Sequence, residues 1–76
     1  MTQKQKEVLG FLSGGNYLYP KREIKNIWES KTRQFEASGS VLRGLSKKGW
    51  ISIFRDSGMV TITGDGEEAL LEAIFG

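Results

Sequence analysis

The side chains of this 76-residue chain that could do chemistry are mostly cationic. It has no cysteine and no histidine. That removes thiolate metal sites, imidazole general bases and Ser-His-Asp triads. A carboxylate-only enzyme would lack the usual acid–base groups, so the chain reads as a non-enzyme with no cofactor and no metal. All eleven Lys and Arg residues lie at or before Arg55, where four acids accompany them, so residues 1–55 carry +7. Residues 56–76 hold five acids and no base, a charge of −5. A basic body with an acidic tail suits a surface that faces a polyanion. Ordinary solvated charge is the competing reading.

Within the basic region, Arg33, Gln34, Ser40 and Arg43 are the candidate base contacts. Arginine can pair bidentately with guanine and glutamine with adenine. Lys21, Arg22, Lys25, Lys31, Lys47 and Arg55 suit phosphates, which fix register without reading sequence.

These residues need elements to position them. Thr2 with Gln5 makes a capping box for a first helix, whose apolar stripe is Val8, Leu9 and Leu12 with Phe11 at its edge. Ser13-Gly14-Gly15-Asn16 ends it. Tyr17-Leu18-Tyr19 is a short extended segment before Pro20. The spacing of Ile24, Ile27 and Trp28 predicts a second helix over 20–29. Ser30 or Thr32 caps a third helix over 33–48, with Phe35, Ser38, Leu42 and Leu45 on its apolar face. Arg33, Glu36, Ala37, Ser40, Arg43, Gly44 and Lys47 form the opposite face. A hairpin over 50–63 follows, with Ile51, Ile53, Val60 and Ile62 inward and Asp56-Ser57-Gly58 as its turn. Thr63 then caps a final helix from about Asp65 to Phe75, with acids in its first turn. Leu70, Ala73 and Ile74 form its inner stripe.

Three stretches carry a family resemblance. Thr2-x-x-Gln5-x-x-Val8-Leu9-x-x-Leu12, Leu45-x-x-Lys48-Gly49-Trp50-Ile51 and Ile62-Thr63-x-x-Gly66 with Leu70 resemble MarR-like transcriptional regulators in order and spacing. The resemblance implies an α+β fold of winged helix-turn-helix type: a three-helix core, a two-stranded hairpin wing and a C-terminal helix, all in one domain over 1–76. It implies double-stranded DNA as partner, with helix 33–48 in the major groove and hairpin 50–63 as wing. The chain departs from the family in four ways. Between the Glu23-Ile24 pair and Gly49 it carries about three residues more than such proteins usually have. Glu36 and Ala37 stand where the family has a Ser/Thr-rich helix start. Arg55 precedes Asp56 rather than following it. The long dimerisation helices that also build the family's effector pocket are missing.

A homodimer would use Leu71 and Phe75 with Phe11. The alternative reading is a protein–protein adaptor, anchored by Trp50 and Phe54, which alternate away from the inner face of the wing. RNA binding is a weaker third reading, since no aromatic-rich RNA-module signature is present. No apolar run approaches the roughly 20 residues of a membrane helix, and residues 2–7 are polar with no signal-peptide pattern. The expected location is therefore cytoplasmic.

Overall fold

Thr2 opens the first helix with both halves of the capping box. Its hydroxyl accepts from the Gln5 backbone N–H, and its own N–H donates to Gln5 Oε1 at 3.0 Å. The computed structural model describes residues 1–76. Helix α1 covers Gln3–Ser13, α2 Gly39–Lys47 and α3 Gly64–Phe75. The strands are β1 (Tyr19–Pro20), β2 (Ile27–Glu29), β3 (Glu36–Ser38), β4 (Ile51–Ile53) and β5 (Val60–Ile62). The fold is α+β, with two small antiparallel sheets ordered β1-β2-β3 and β4-β5.

A single bridge joins the two sheets. Leu18 and Val60 exchange both backbone hydrogen bonds, at 3.4 and 2.8 Å. The strand order across the molecule is thus β4-β5-β1-β2-β3. The same register puts Pro20 beside Gly58, where the proline ring packs so close that a Cβ would overlap it. Gly58 also sits at φ +75°, a conformation that L side chains rarely adopt. Trp28 completes this junction by donating its indole N–H to the Gly58 carbonyl at 2.8 Å.

The core is one cluster: Val8, Leu9 and Leu12 of α1, Leu18 before β1, Ala37 of β3, Leu42 and Leu45 of α2, Ile51 of β4, Val60 of β5, and Leu70 of α3. No polar side chain is buried. Thr63 ties the last helix to the one before it. Its hydroxyl donates to the Gly49 carbonyl at 2.7 Å and accepts from the Gly66 N–H at 3.0 Å.

The segment 20–38 departs from the sequence expectation. No helix forms over 20–29. Pro20 pairs with Trp28 across β1 and β2, and a turn carries residues 21–26. Asn26 takes φ +67°, which ends any helical path there. Ile24, expected inside, is 51% exposed. The third helix begins at Gly39 rather than residue 33, because Glu36–Ser38 pair with β2 as a strand. Ser38 is its N-cap, accepting from the Val41 N–H, in place of Ser30 or Thr32. Ala37, placed on the outer face by helical periodicity, is buried through the strand's two-residue alternation. In α3, Leu70 is buried as expected but Ala73 and Ile74 are exposed, since the last turn runs past the end of the core.

Candidate nucleic-acid interface

Helix α2 contains no acidic residue. Its sequence Gly39-Ser-Val-Leu-Arg-Gly-Leu-Ser-Lys47 buries Leu42 and Leu45 and exposes Ser40, Arg43, Ser46 and Lys47. Ser40, Arg43 and Lys47 share one face by their spacing of three and four residues. Ser38 and Ser40 flank Gly39 at the start of α2, and their hydroxyls lie 3.1 Å apart.

Asn26 fixes one side of this helix. Its carbonyl accepts from the Gly39 N–H at 2.8 Å, and its side-chain oxygen accepts from Arg43 Nη1 at 3.1 Å. A Cβ at Gly39 would overlap that same oxygen, so the glycine permits the close approach. Arg43 keeps its other guanidinium donors free, out of five in all. Lys25, exposed and one residue from Asn26, is the cation of the β1–β2 turn that sits beside α2. Neither Asn26 nor Gly39 stood out in the sequence. The signal was an asparagine, a residue that tolerates the left-handed region, directly before an apolar pair.

The structure divides the expected contact residues. Ser40, Arg43 and Lys47 share the outer face of α2, and Lys25 directly precedes Asn26, whose side chain accepts from Arg43. Arg33 and Gln34 are not on that face, because they lie in the β2–β3 turn ahead of β3, lining a hollow of about 380 Å3 with Phe35 and the Glu29 and Glu36 side chains. Both are therefore off the helix on which they were expected. Lys21 is ion-paired with Glu36, and the same carboxylate holds its ammonium pKa above the ordinary lysine value, the more distant Glu29 and Glu23 adding to the effect against some desolvation. This pairing also takes Glu36 away from the α2 face. Lys31 stands over the Tyr19 ring at 4.4 Å, and with Arg22 it lines a cleft on the far side of the sheet. Arg55 is exposed in the β4–β5 turn.

Of the expected dimer residues, Phe11 is stacked on Phe35, with ring centroids 4.2 Å apart and planes at 6°. Leu71 and Phe75 stay open, Phe75 at 82% exposure, and Ile74 joins them. Trp50 is half-buried against the core with Lys48 over its ring at 5.1 Å, while Phe54 is 46% exposed. No helix is long and apolar enough to cross a membrane. No family model matches the chain, and none of the curated proteins or solved structures compared with it is similar.

Proposed function

We propose that this chain is a small double-stranded DNA-binding protein of winged-helix type, acting as a transcriptional regulator. Helix α2 enters the major groove, and the β4–β5 hairpin is the wing beside it. The observation that carries the reading is the acid-free outer face of α2, where Ser40, Arg43 and Lys47 line up. The order α1, extended Leu18 paired to β5, α2, hairpin and α3 agrees with it. In place of a second helix, the β1–β2 turn and β2–β3 hairpin buttress α2 through Asn26. Arg43 is the base-reading residue, held in one orientation by Asn26. Lys25, Lys47 and Arg55 neutralise phosphates.

Fluorescence anisotropy of a labelled random 20–30 bp duplex, titrated at several salt concentrations, tests this. Three neutralised phosphates give a log–log salt slope of about −3. Lys47→Ala should weaken all duplexes alike and reduce the slope by about 1. Arg43→Ala should cost about 1–3 kcal/mol on a selected site and less on random DNA. Arg33→Ala should change binding less than Arg43→Ala, since Arg33 lies off the helix. No salt-dependent binding at low salt would end the DNA reading.

Homodimerisation through Leu71, Ile74 and Phe75 of α3 would pair two α2 helices on adjacent half-sites. A sedimenting monomer at tens of micromolar, with and without duplex, would exclude it.

A further inference from the structure

The sheet has a second face that the α2 interface does not use. Its buried strand residues (Ala37, Ile51 and Val60, with Leu18 leading into β1) belong to the core cluster on the helix side. Alternation turns Tyr17, Tyr19, Phe54 and Met59 to the opposite side. Register sets them next to one another. The Phe54 N–H donates to the Met59 carbonyl at 2.9 Å, and the Leu18–Val60 bridge places Tyr19 beside Met59. Phe54, Met59 and Tyr19 thus form a row across three strands, spaced at about 4.8 Å per strand. Tyr17 lies about 6.7 Å from Tyr19 along the chain on the same side, and it is 47% exposed.

Two clefts flank the Tyr19 ring. One, of about 460 Å3, is lined by Tyr19, Arg22, Glu29, Lys31 and Ser57 among others. The other, of about 380 Å3, is lined by Asn16, Tyr17, Tyr19, Lys31 and Thr32 among others. Lys31 stands between them, with its ammonium over the Tyr19 ring. The ring face is therefore reachable from solvent, and a cation on a flexible stem is beside it. Two rings two residues apart, Tyr17 exposed and Tyr19 half-buried beneath Lys31, each lining a cleft that Lys31 also lines, match a ligand that alternates flat rings with anions.

We propose that this open face binds single-stranded nucleic acid, with two successive bases stacked on Tyr17 and Tyr19 and with Lys31 and Arg22 at the phosphates. Lys31 leaves the Tyr19 ring for a phosphate as a base takes its place. Glu23 and Glu29 line the first cleft, where they repel phosphates and accept from an exocyclic amino group, as a carboxylate does from cytosine. Asn16 and Thr32 in the second cleft supply neutral hydrogen-bonding groups. The Lys31 ammonium over the Tyr19 ring and Arg22 in the adjoining cleft favour this ligand over an apolar protein segment. The inference goes beyond duplex binding by α2 and does not rest on it.

Anisotropy with labelled eight-nucleotide oligo-dC and oligo-dT, and their RNA counterparts, at about 50 mM salt tests it. The expected result is salt-dependent micromolar binding. Tyr17→Ala and Tyr19→Ala should each weaken it about 5- to 100-fold. Tyr19→Phe, which keeps the ring and guards against a folding artefact, should hold it within about twofold. Lys31→Met should lower the salt slope by about 0.7 while binding persists. The tighter of the DNA and RNA series identifies the natural strand, since only RNA offers a 2′-hydroxyl to contact. Duplex binding should ignore the tyrosine substitutions and respond to Arg43→Ala, so the two interfaces fail separately. Absence of binding to all four strands would overturn the proposal. So would binding that neither tyrosine substitution weakens, because charge alone would then account for it.

Discussion

The two hairpins of this molecule are held in different ways. In β4–β5, Ile51, Ile53, Val60 and Ile62 alternate toward the helices, and the Arg55–Ser57 turn is local. Its neighbours in sequence also support it, since Thr63 grips Gly49 on one side and caps α3 on the other. The β2–β3 hairpin has little support of that kind. Glu36-Ala37-Ser38 is a poor strand sequence, and Glu29 stands directly opposite Glu36, a like-charge pairing that weakens a ladder. What holds it comes from far along the chain. Trp28 bonds Gly58, Phe35 stacks on Phe11, and Asn26 grips Gly39 and Arg43. A hairpin of local origin and a hairpin of tertiary origin therefore share one core.

Trp28→Ala is the substitution that should break this difference open. It removes a half-buried indole and leaves the Gly58 carbonyl without its partner. We expect a loss of about 2–3 kcal/mol, below the value for a fully buried tryptophan because Trp28 is only partly covered. At roughly 0.05–0.15 kcal/mol per residue, a chain of this size has little to spare. Urea unfolding followed by the fluorescence of the remaining Trp50 measures the loss. Hydrogen exchange tests its location. The Lys21 and Ser30 amides, which donate to Ile27 and Phe35, should lose protection before those of Phe54 and Thr63. Equal loss in both hairpins would show that they unfold as one unit.

The same difference explains what the sequence disclosed. The Thr2 capping box, the Thr63 cap, the alternation of β4 and β5 and the end of α2 before Gly49 are all signals a few residues long, and each lies where it was expected. Ile24, Ile27 and Trp28 have helical spacing too. Yet Ile27 and Trp28 lie on opposite faces of a strand, because the partner of Trp28 is thirty residues away. The start of α2 shifted for the same reason. Ser30 and Thr32 are sound caps by type, but pairing with β2 claims Glu36–Ser38 first and leaves Ser38 to begin the helix. The candidate site inherited that shift. Ser40, Arg43 and Lys47 were legible because they fall in the part of the helix that exists. Arg33 and Gln34 were misplaced with the part that does not.

Gly39→Ala sharpens the comparison at the joint between the tertiary hairpin and α2. Alanine raises helix propensity by about 1 kcal/mol relative to glycine, but its Cβ would meet the Asn26 side chain. We expect a net loss of about 1 kcal/mol in the wild-type background. Asn26→Gly removes the obstructing side chain and suits the positive φ at that position. In that background Gly39→Ala should become neutral or stabilising. A double-mutant cycle on thermal or urea unfolding gives the coupling directly. Additive effects would mean that the Asn26 side chain moves aside at no cost, and that Arg43 is not held by it.

The smallest expected effect concerns the charges on β1–β3. Lys21 faces Glu36, with Glu29 and Glu23 near enough to raise its pKa further above the ordinary value near 10.5. A lysine whose pKa is raised on folding contributes stability that is complete below the unfolded value and disappears as pH rises through the folded one. Lys21→Met should therefore lower the urea midpoint slightly, and by a constant amount through neutral and mildly alkaline pH. The gap from wild type should narrow only above about pH 10.5. Because Glu36 is exposed and Lys21 half-buried, salt should shrink the gap as well. A gap unchanged by high pH and by salt would assign the role of Lys21 to its aliphatic stem, and the opposed Glu29 and Glu36 would then be tolerated without any cation to offset them.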